Sequence, residues 1–300
     1  MKNLTTLDYV KSVYELSDSI VENASHVRIS DEGVEKFAEN IASKEIFTGT
    51  PNEDTNVEQS RVLRELLASS VNFCYWYGGC NSNSRSRGSS AMYKILDEVI
   101  RDHAYVRQAD FFSEETVLSV INDFYHGLMQ NRFSMLRERR ERLTRLADRA
   151  DMTVNLCASI VSGTMGLNRL LPNLFELAPE LAEDLFLKRA FLFPLVLNRA
   201  SGYFSQDIHN IPVPADYQIP KMLKNLGVLQ YTPELEAKVN GEVLIPKNSA
   251  EECEIRASTV LACRSIAARA GVTMQQVDDY LFSIRKTVDD KHHLTRTADY

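Results

Sequence analysis

The residue with the clearest chemical potential is an acid held in a proline-rich loop. Residues 210–220 contain three prolines and are mostly apolar, with Asp216 near their centre and Tyr217 beside it. Each proline fixes φ and removes a backbone N–H, so the segment is neither a helix interior nor a central strand. A rigid apolar loop that holds a carboxylate at the start of a helix suits chemistry. The same carboxylate would also serve as a structural N-cap.

Two further charged elements lie in amphipathic or apolar sequence. Lys188 is surrounded by apolar residues in segment 180–200, and Asp278 and Asp279 follow each other in an amphipathic segment. In one interpretation, the lysine extends to the surface and the acidic pair is solvated. In a second interpretation, these residues form a site for glycosidic-bond cleavage, because a carboxylate stabilises the positive charge of an oxocarbenium-like transition state. A purely structural network of ion pairs would use the same residues.

The elements that must position these side chains are predicted to be helices. No βαβ alternation, dinucleotide-binding motif, P-loop or repeat is present. The sequence predicts a mainly α fold of about a dozen helices, with at most two or three short strands. Residues 243–246 fit a short strand or a hairpin. Apolar residues recur at helical spacing over residues 7–24, 31–43, 57–74, 90–102, 113–129, 133–150, 180–200 and 250–270.

Composition excludes several classes of protein. The 300 residues carry a net charge of −7, which argues against binding long nucleic acid, since that requires a basic surface. No apolar run reaches the ~20 residues of a membrane-spanning helix, and no signal peptide is expected at the N-terminus. Scattered cysteines without a C-x-x-C motif indicate reduced thiols and a cytoplasmic protein. No metal-ligand spacing occurs, so no metal is expected.

Two polar segments invite alternative interpretations. Six arginines between residues 132 and 145 alternate with acids and with apolar residues at helical spacing, which predicts a solvated amphipathic face rather than an RNA-binding one. Residues 81–90 are rich in serine, asparagine and arginine. Because aromatic and helical sequence flanks them directly, a lid or an insertion within a domain is favoured over a linker.

An ordered set of short segments resembles a known family, the queuosine salvage proteins, which are queuosine 5′-phosphate N-glycosylases/hydrolases. The resemblance extends over roughly residues 45–300, and the order of the segments carries it rather than any single motif. The segments are Asn-Phe-Cys-Tyr-Trp at residues 72–76, Met-Leu-Arg-Glu-Arg at 135–139, Leu-Lys-Arg-Ala at 187–190, Ala-Asp-Tyr-Gln-Ile-Pro at 215–220, Glu-Cys-Glu-Ile-Arg-Ala at 252–257, Asp-Asp-Tyr-Leu-Phe at 278–282 and His-Leu-Thr-Arg-Thr at 293–297.

The resemblance implies a single helical domain over residues 1–300, similar in architecture to DNA glycosylases, with the helices of residues 1–45 packed on it. It implies hydrolysis of the N-glycosidic bond of queuosine 5′-phosphate, which frees the base queuine for tRNA modification. No metal or organic cofactor is expected. The partner is then a small nucleotide rather than a long nucleic acid or a membrane, and we expect a monomer.

The resemblance also assigns roles by position. Asp216 would stabilise the oxocarbenium-like transition state or attack C1′ directly, because a carboxylate suits either role. Lys188 would bind ribose or phosphate oxygens. Asp278 would accept hydrogen bonds from the guanine-like N–H edge of the base, where an acceptor-only side chain is wanted. Because Asp279 is adjacent, the sequence leaves open which of the two acids faces the site. The other expected substrate contacts are Phe73 and Trp76 against the base, Tyr217 beside Asp216, and His293 and Arg296 near the phosphate.

This chain departs from the family pattern at several positions. Gln218 stands where the family has a cation, Tyr75 and Phe282 replace a phenylalanine and a tryptophan, and the segment after Trp76 has a different composition. These changes affect recognition of the base more than the hydrolytic centre. A related deazapurine nucleotide or nucleoside is therefore an alternative substrate. A non-catalytic protein that binds such a nucleotide, and a glycosylase acting on DNA or RNA, are alternatives of a different class.

Overall fold

A computed structural model describes residues 4–44, 55–77, 88–103 and 113–300, without the side chains of residues 55–58. These residues form 13 α-helices and one two-stranded sheet, which confirms the predicted mainly α fold. The helices are α1 (Thr6–Glu22), α2 (Asp31–Ala42), α3 (Thr55–Ser70), α4 (Ser89–Asp102), α5 (Glu114–Gln130), α6 (Leu136–Ala147), α7 (Ala150–Val161), α8 (Leu167–Leu177), α9 (Lys188–Ser201), α10 (Gln218–Asn225), α11 (Pro233–Asn240), α12 (Ala250–Ala270) and α13 (Met274–Ile284). Short 3₁₀ helices occupy Pro179–Ala182 and Ile208–Asn210.

The sheet joins the N-terminal region to the second half of the chain. Strand β1 (Val27–Ile29) runs antiparallel to β2 (Leu229–Tyr231). The segment 243–246 forms no hairpin, because Leu244 makes a single parallel bridge with Leu294 instead. The segment 243–246 therefore pairs with the tail of the chain rather than with a neighbouring strand across a local turn.

Helix α12 lies at the centre of the packing. Its residues contribute to two apolar clusters: Ala257 and Val260 belong to one, and Ile255 and Ile266 to the other. Helices α1 and α2 pack against α12. A helix surrounded in this way is apolar on most of its faces and shows no simple amphipathic pattern.

The proline-rich loop is buried between the same two clusters. Ile211 and Ala215 pack in the first cluster and Val213 in the second. The loop is not a solvated linker, as its apolar composition indicates, because 210–220 consists mainly of buried residues. Its fixed proline geometry and its burial hold Asp216 in one place.

Helix α9 begins at Lys188, so the prediction of a continuous helix over residues 180–200 is wrong. Leu187 adopts a left-handed conformation with φ of 51°, which interrupts the helical path. The Asp184 carboxylate accepts hydrogen bonds from the N–H groups of Phe186 (3.1 Å) and Lys188 (2.7 Å). These bonds satisfy amides at the new helix start and offset the strain at Leu187, on the order of 1–3 kcal/mol.

Four of the six arginines of residues 132–145 are exposed, as the predicted solvated face requires, but Arg139 and Arg142 are buried. The described side chain of Arg139 is entirely buried, with its guanidinium 4.3 Å above the Phe73 ring. It donates to the carbonyl groups of Val71, Phe73 (2.6 Å) and Ser134 (2.8 Å). Helix α6 therefore fixes the residues that lead to Trp76.

In the described parts of the chain, no helix is both long and apolar enough to cross a membrane. The division of the chain into domains stays a prediction.

Candidate active site

One cavity of about 780 Å³ brings together residues that are far apart in sequence. Lys188 at the start of α9, Asp216 in the proline-rich loop and Asp278 on α13 all line it. Burial lowers the pKa of Lys188 and raises the pKa of Asp278, and the negative charge of Asp216 raises both pKa values. Two carboxylates and an ammonium group thus share one enclosed space.

The loop and the adjacent helix fix the Asp216 side chain. Its Oδ1 accepts hydrogen bonds from the N–H groups of Gln218 (2.6 Å) and Ile219 (3.4 Å), the first residues of α10. The side chain is half-buried and lines the cavity. The two interpretations of Asp216, as helix cap and as site residue, are therefore compatible, because one oxygen is used by the cap and the group still faces the cavity.

Lys188 is buried, with 3% of its surface exposed, so the interpretation in which it extends to the surface is wrong. Its Nζ lies 3.4 Å from the carbonyl oxygen of Asn72. Burial lowers the pKa of Lys188, and the Asp216 carboxylate opposes that shift. An ammonium group with so little solvent favours oxygen atoms of a ligand as partners.

Asp278, rather than Asp279, faces the cavity. Asp278 is 7% exposed, and the Arg199 guanidinium lies 3.4 Å from its Oδ2 and also pairs with Asp279. The pKa of Asp278 is raised to about 6, because burial and the Asp216 charge raise it more than Arg199 and Lys188 lower it. This carboxyl therefore changes its charge close to neutral pH.

Aromatic side chains form one wall of the cavity. Trp76 and Tyr217 line it, as predicted, and so does His292. The centre of the His292 ring lies 4.5 Å from that of Tyr217 and 6.4 Å from that of Trp76. Burial lowers the pKa of His292, which favours the neutral imidazole. A flat apolar wall of this kind suits a planar base.

Three of the predicted site residues do not line this cavity as the described residues define it. Phe73 is 1% exposed and packs under Arg139 in the core. His293 is buried with its Nε2 3.2 Å from the Tyr300 hydroxyl, and burial lowers its pKa to about 3. Arg296 is exposed and stacks on Tyr77 at 4.6 Å. Alternation in the extended tail explains the shift by one position, from His293 to His292.

A buried ion pair connects the segments that carry Lys188 and Asp216. The Arg256 guanidinium binds both oxygens of Asp184, at 2.7 and 2.9 Å, and its Nε donates to the carbonyl of Ala215 at 2.9 Å. Asp184 caps the helix that begins at Lys188, and Ala215 directly precedes Asp216. The pair therefore fixes the distance between the two elements that carry the cation and the acid.

The chain is similar in sequence to proteins of the queuosine salvage family. A family model described as queuosine salvage protein matches residues 186–300. A protein of Sphaerobacter thermophilus named queuosine 5′-phosphate N-glycosylase/hydrolase is 25% identical over 312 aligned residues, which cover 94% of this chain and 95% of that protein. A protein of Dictyostelium discoideum with the same name is 33% identical over 128 residues, 38% of this chain and 40% of that protein. The resemblance to the queuosine salvage proteins is confirmed.

The segment matched by the queuosine salvage model carries Lys188, Asp216 and Asp278 together with Arg256. It is shorter than the predicted 45–300, although the alignment with the bacterial relative covers most of the chain. Trp76 lies outside the matched segment. The cavity is therefore completed by residues outside the matched segment, including residues of α3 and α4.

Sequence reasoning missed several residues that line the cavity. Spacing along α9 would have indicated Arg199, which lies on the same helical face as Lys188, three turns away. No sequence signal indicates Lys221, Arg285 or Lys286, because they come from the start of α10 and the end of α13. They line the cavity together with Gln218, which stands where the queuosine salvage family has a cation.

The described residues contain no group of three or more His, Cys, Asp or Glu side chains placed to hold a metal ion. The expectation that no cofactor is needed stays a prediction. The predicted lid at residues 81–90 falls largely outside the described residues, but Gly88, Ser89 and Ser90 line the cavity.

Proposed function

We propose that this protein hydrolyses the N-glycosidic bond of queuosine 5′-phosphate and releases queuine for salvage into tRNA. The observation that carries the proposal is the meeting of Asp216, Lys188 and Asp278 in one cavity. The similarity to proteins named queuosine 5′-phosphate N-glycosylase/hydrolase supports the choice of substrate. We further propose that the protein is a cytoplasmic monomer.

In this reaction the bond between C1′ of the ribose and the base nitrogen breaks, and its electron pair leaves with the base. Positive charge develops on the ribose, and the rigidly held Asp216 carboxylate stabilises it or attacks C1′ directly. Water supplies the oxygen that finally bonds to C1′, and its protons pass to the product hydroxyl and to the leaving base. The products are ribose 5-phosphate and queuine.

The other cavity residues orient the nucleotide. Asp278 accepts hydrogen bonds from the N–H edge of the deazaguanine, and the rings of Trp76 and Tyr217 contact its faces. Lys188 binds ribose oxygens beside Asp216. Holding the sugar and the base in this way places C1′ against the carboxylate before the bond breaks.

The 5′-phosphate fits the cationic end of the cavity. Lys221, Arg285 and Lys286 line that end, with one acid, Asp289. The Lys221 Nζ is 2.9 Å from the carbonyl oxygen of Arg285, so two of the cations are adjacent, and the Asp216 charge acts on Arg285. These residues replace His293 and Arg296 as the proposed phosphate contacts.

The direct test is incubation of the purified protein with queuosine 5′-phosphate, followed by chromatographic detection of queuine. We expect stoichiometric release of queuine and ribose 5-phosphate. Tight binding of the nucleotide without release would support the non-catalytic alternative and contradict the proposal. Release from 7-deazaguanosine 5′-phosphate but not from queuosine 5′-phosphate would instead indicate a related deazapurine substrate.

The pH dependence of kcat/KM tests the role of Asp278. If the ionised carboxylate accepts hydrogen bonds from the base, kcat/KM falls about tenfold per pH unit below pH about 6 and is level above it, because the pKa of Asp278 is raised to about 6. The measurement is a profile from pH 4.5 to 8.5. A decline above pH 6 would contradict this role, since it would require a protonated Asp278 that donates.

The substrate phosphate also titrates near pH 6, with a second pKa of about 6. The pH profile of Asp278→Asn is therefore measured with the same substrate. The variant should lose only the part of the decline in kcat/KM below pH about 6 that the ionisation of Asp278 causes. We expect kcat/KM of Asp278→Asn at pH 7.5 to fall about 10- to 100-fold, since a charge-assisted hydrogen bond is lost.

The proposed phosphate contacts predict a selective effect of charge removal. Arg285→Gln combined with Lys286→Gln should raise KM for queuosine 5′-phosphate about 10- to 100-fold while leaving KM for the unphosphorylated nucleoside nearly unchanged. Lys291→Gln is the matched control, because Lys291 is exposed and pairs with Glu242 outside this cavity. Equal losses on both substrates would contradict the assignment.

A further inference from the structure

The cavity is polarised along helix α9. The cations that line it besides Lys188 and Arg199 lie at the Asp216 end, and a buried carboxylate, Glu65, lines the opposite part together with Tyr93. Glu65 on α3 is 3% exposed, and its Oε2 accepts a 2.7 Å hydrogen bond from the Tyr93 hydroxyl. Neither the sequence motifs nor the proposed hydrolysis assigns a role to these two residues.

The packing of α3 against α9 fixes where Glu65 lies. Arg61 donates to the Ala200 carbonyl at 3.2 Å, and Arg189 donates to the Ser70 carbonyl at 2.9 Å, so the two helices run antiparallel. This register places Glu65 level with the middle of α9, near Val196. Val196 is eight residues from Lys188, or about 12 Å at the helical rise.

The ion-paired group that includes Glu65 has a net negative charge. Arg64 pairs with Glu65 and also with Asp97, whose Oδ1 lies 2.6 Å from its Nε, so the three groups carry one net negative charge. Each Glu65 oxygen has one protein partner and can accept a further hydrogen bond. A buried, negatively charged group with acceptor capacity favours a cation in the cavity.

We propose that Glu65 and Tyr93 form a subsite for an amine cation carried on the 7-position of the base. This inference rests on the proposed function, which places the ribose at Asp216 and Lys188 and the base at Asp278. The proposal requires that the 7-substituent of a base bound there extends along α9 towards Glu65. In queuine that substituent is a secondary amine linked to a cyclopentenediol, which is positively charged at neutral pH. Ser89 and Ser90, which line the cavity beside Tyr93, offer hydroxyl groups for the diol.

The test compares three nucleotide substrates that differ only at the 7-position: 7-aminomethyl-7-deazaguanosine 5′-phosphate, its neutral 7-cyano analogue and the unsubstituted compound. For the unaltered protein we expect kcat/KM to be about 10- to 100-fold higher for the cationic substrate than for the other two. Glu65→Gln should remove most of this preference, so that its kcat/KM for the cationic substrate approaches its kcat/KM for the 7-cyano substrate. Glu98→Gln, on the exposed side of α4, is the matched control and should change neither value.

Two outcomes would overturn the subsite. One is an equal loss on all three substrates in Glu65→Gln, which would indicate a structural role. The other is an unaltered protein that does not prefer the cationic substrate. If Glu65→Gln fails to fold, Tyr93→Phe keeps the carboxylate, removes one hydrogen bond and should reduce the preference about 2- to 10-fold. Failure of the proposed function is distinguishable, because the protein would then release no base from any of these substrates or from queuosine 5′-phosphate.

Discussion

Replacement of Asp216 by asparagine should reduce kcat/KM for queuosine 5′-phosphate by about 10³-fold or more, equivalent to roughly 4 kcal/mol of transition-state stabilisation. The substitution removes the charge that faces the developing oxocarbenium ion and also removes a nucleophile. The asparagine oxygen still accepts hydrogen bonds from the N–H groups of Gln218 and Ile219, which Asp216 now binds at 2.6 and 3.4 Å. The measurement is steady-state kinetics beside thermal unfolding.

Two variants separate the roles of this side chain. Asp216→Ala removes both the charge and the cap, so it should lose the same activity and in addition about 1 kcal/mol of stability. Asp8→Asn is the matched control, because Asp8 is a capping acid at the start of α1, outside the cavity. If Asp216→Asn keeps more than a tenth of the activity, Asp216 is not the central acid.

Replacement of Arg256 by methionine should destabilise the protein by about 3–5 kcal/mol, because it leaves the buried Asp184 carboxylate without its bidentate partner. The Arg256 side chain is 1% exposed and also pairs with Glu252 at 3.4 Å. The measurement is the free energy of unfolding in urea. Arg264→Met, on the same helix, is the control: its pair with Asp18 is exposed, so the loss should be below about 1 kcal/mol.

A positioning role predicts more than a loss of stability. Arg256→Lys keeps the charge but cannot bind both Asp184 oxygens and the Ala215 carbonyl together. We expect kcat to fall about tenfold or more in this variant, with a smaller change in KM, at a temperature where it is fully folded. The combination Asp184→Asn with Arg256→Met should be less destabilised than the sum of the single variants, because the Asp184 charge is removed together with its partner. Unchanged kcat in folded Arg256→Lys would show that the pair is structural only.

The elements of the fold could be predicted well from local pattern, with errors where long-range contacts decide. Apolar spacing predicts α1 and α2 almost to their bounds, and the structure shows a capping box at Thr5. The predicted helix over residues 180–200 is wrong because the Asp184 cap and its partner Arg256 are 72 residues apart. The burial of Arg139 within the solvated face predicted for α6 has the same cause, since two of the three carbonyl groups that it binds lie more than 60 residues earlier.

The residues of the candidate site could also be predicted only in part from the sequence. Residue type and local setting identify Asp216 and Lys188, and the family resemblance adds Asp278, Trp76 and Tyr217, all of which line the cavity. Neither could distinguish Asp278 from Asp279 or His292 from His293. That choice depends on which side of a helix or extended segment faces the cavity, and neighbours from other elements set it.

By itself, the sequence determined a mainly α protein with a rigid acidic loop, because proline geometry and apolar periodicity are local properties. The tertiary structure alone decided that the two carboxylates and the lysine share one cavity, that Arg256 joins their supports, and that the cavity runs from a cationic end to Glu65. Those relations arise when α3, α9, α10, α12 and α13 pack together. Side chains that no local spacing connects then line the same cavity.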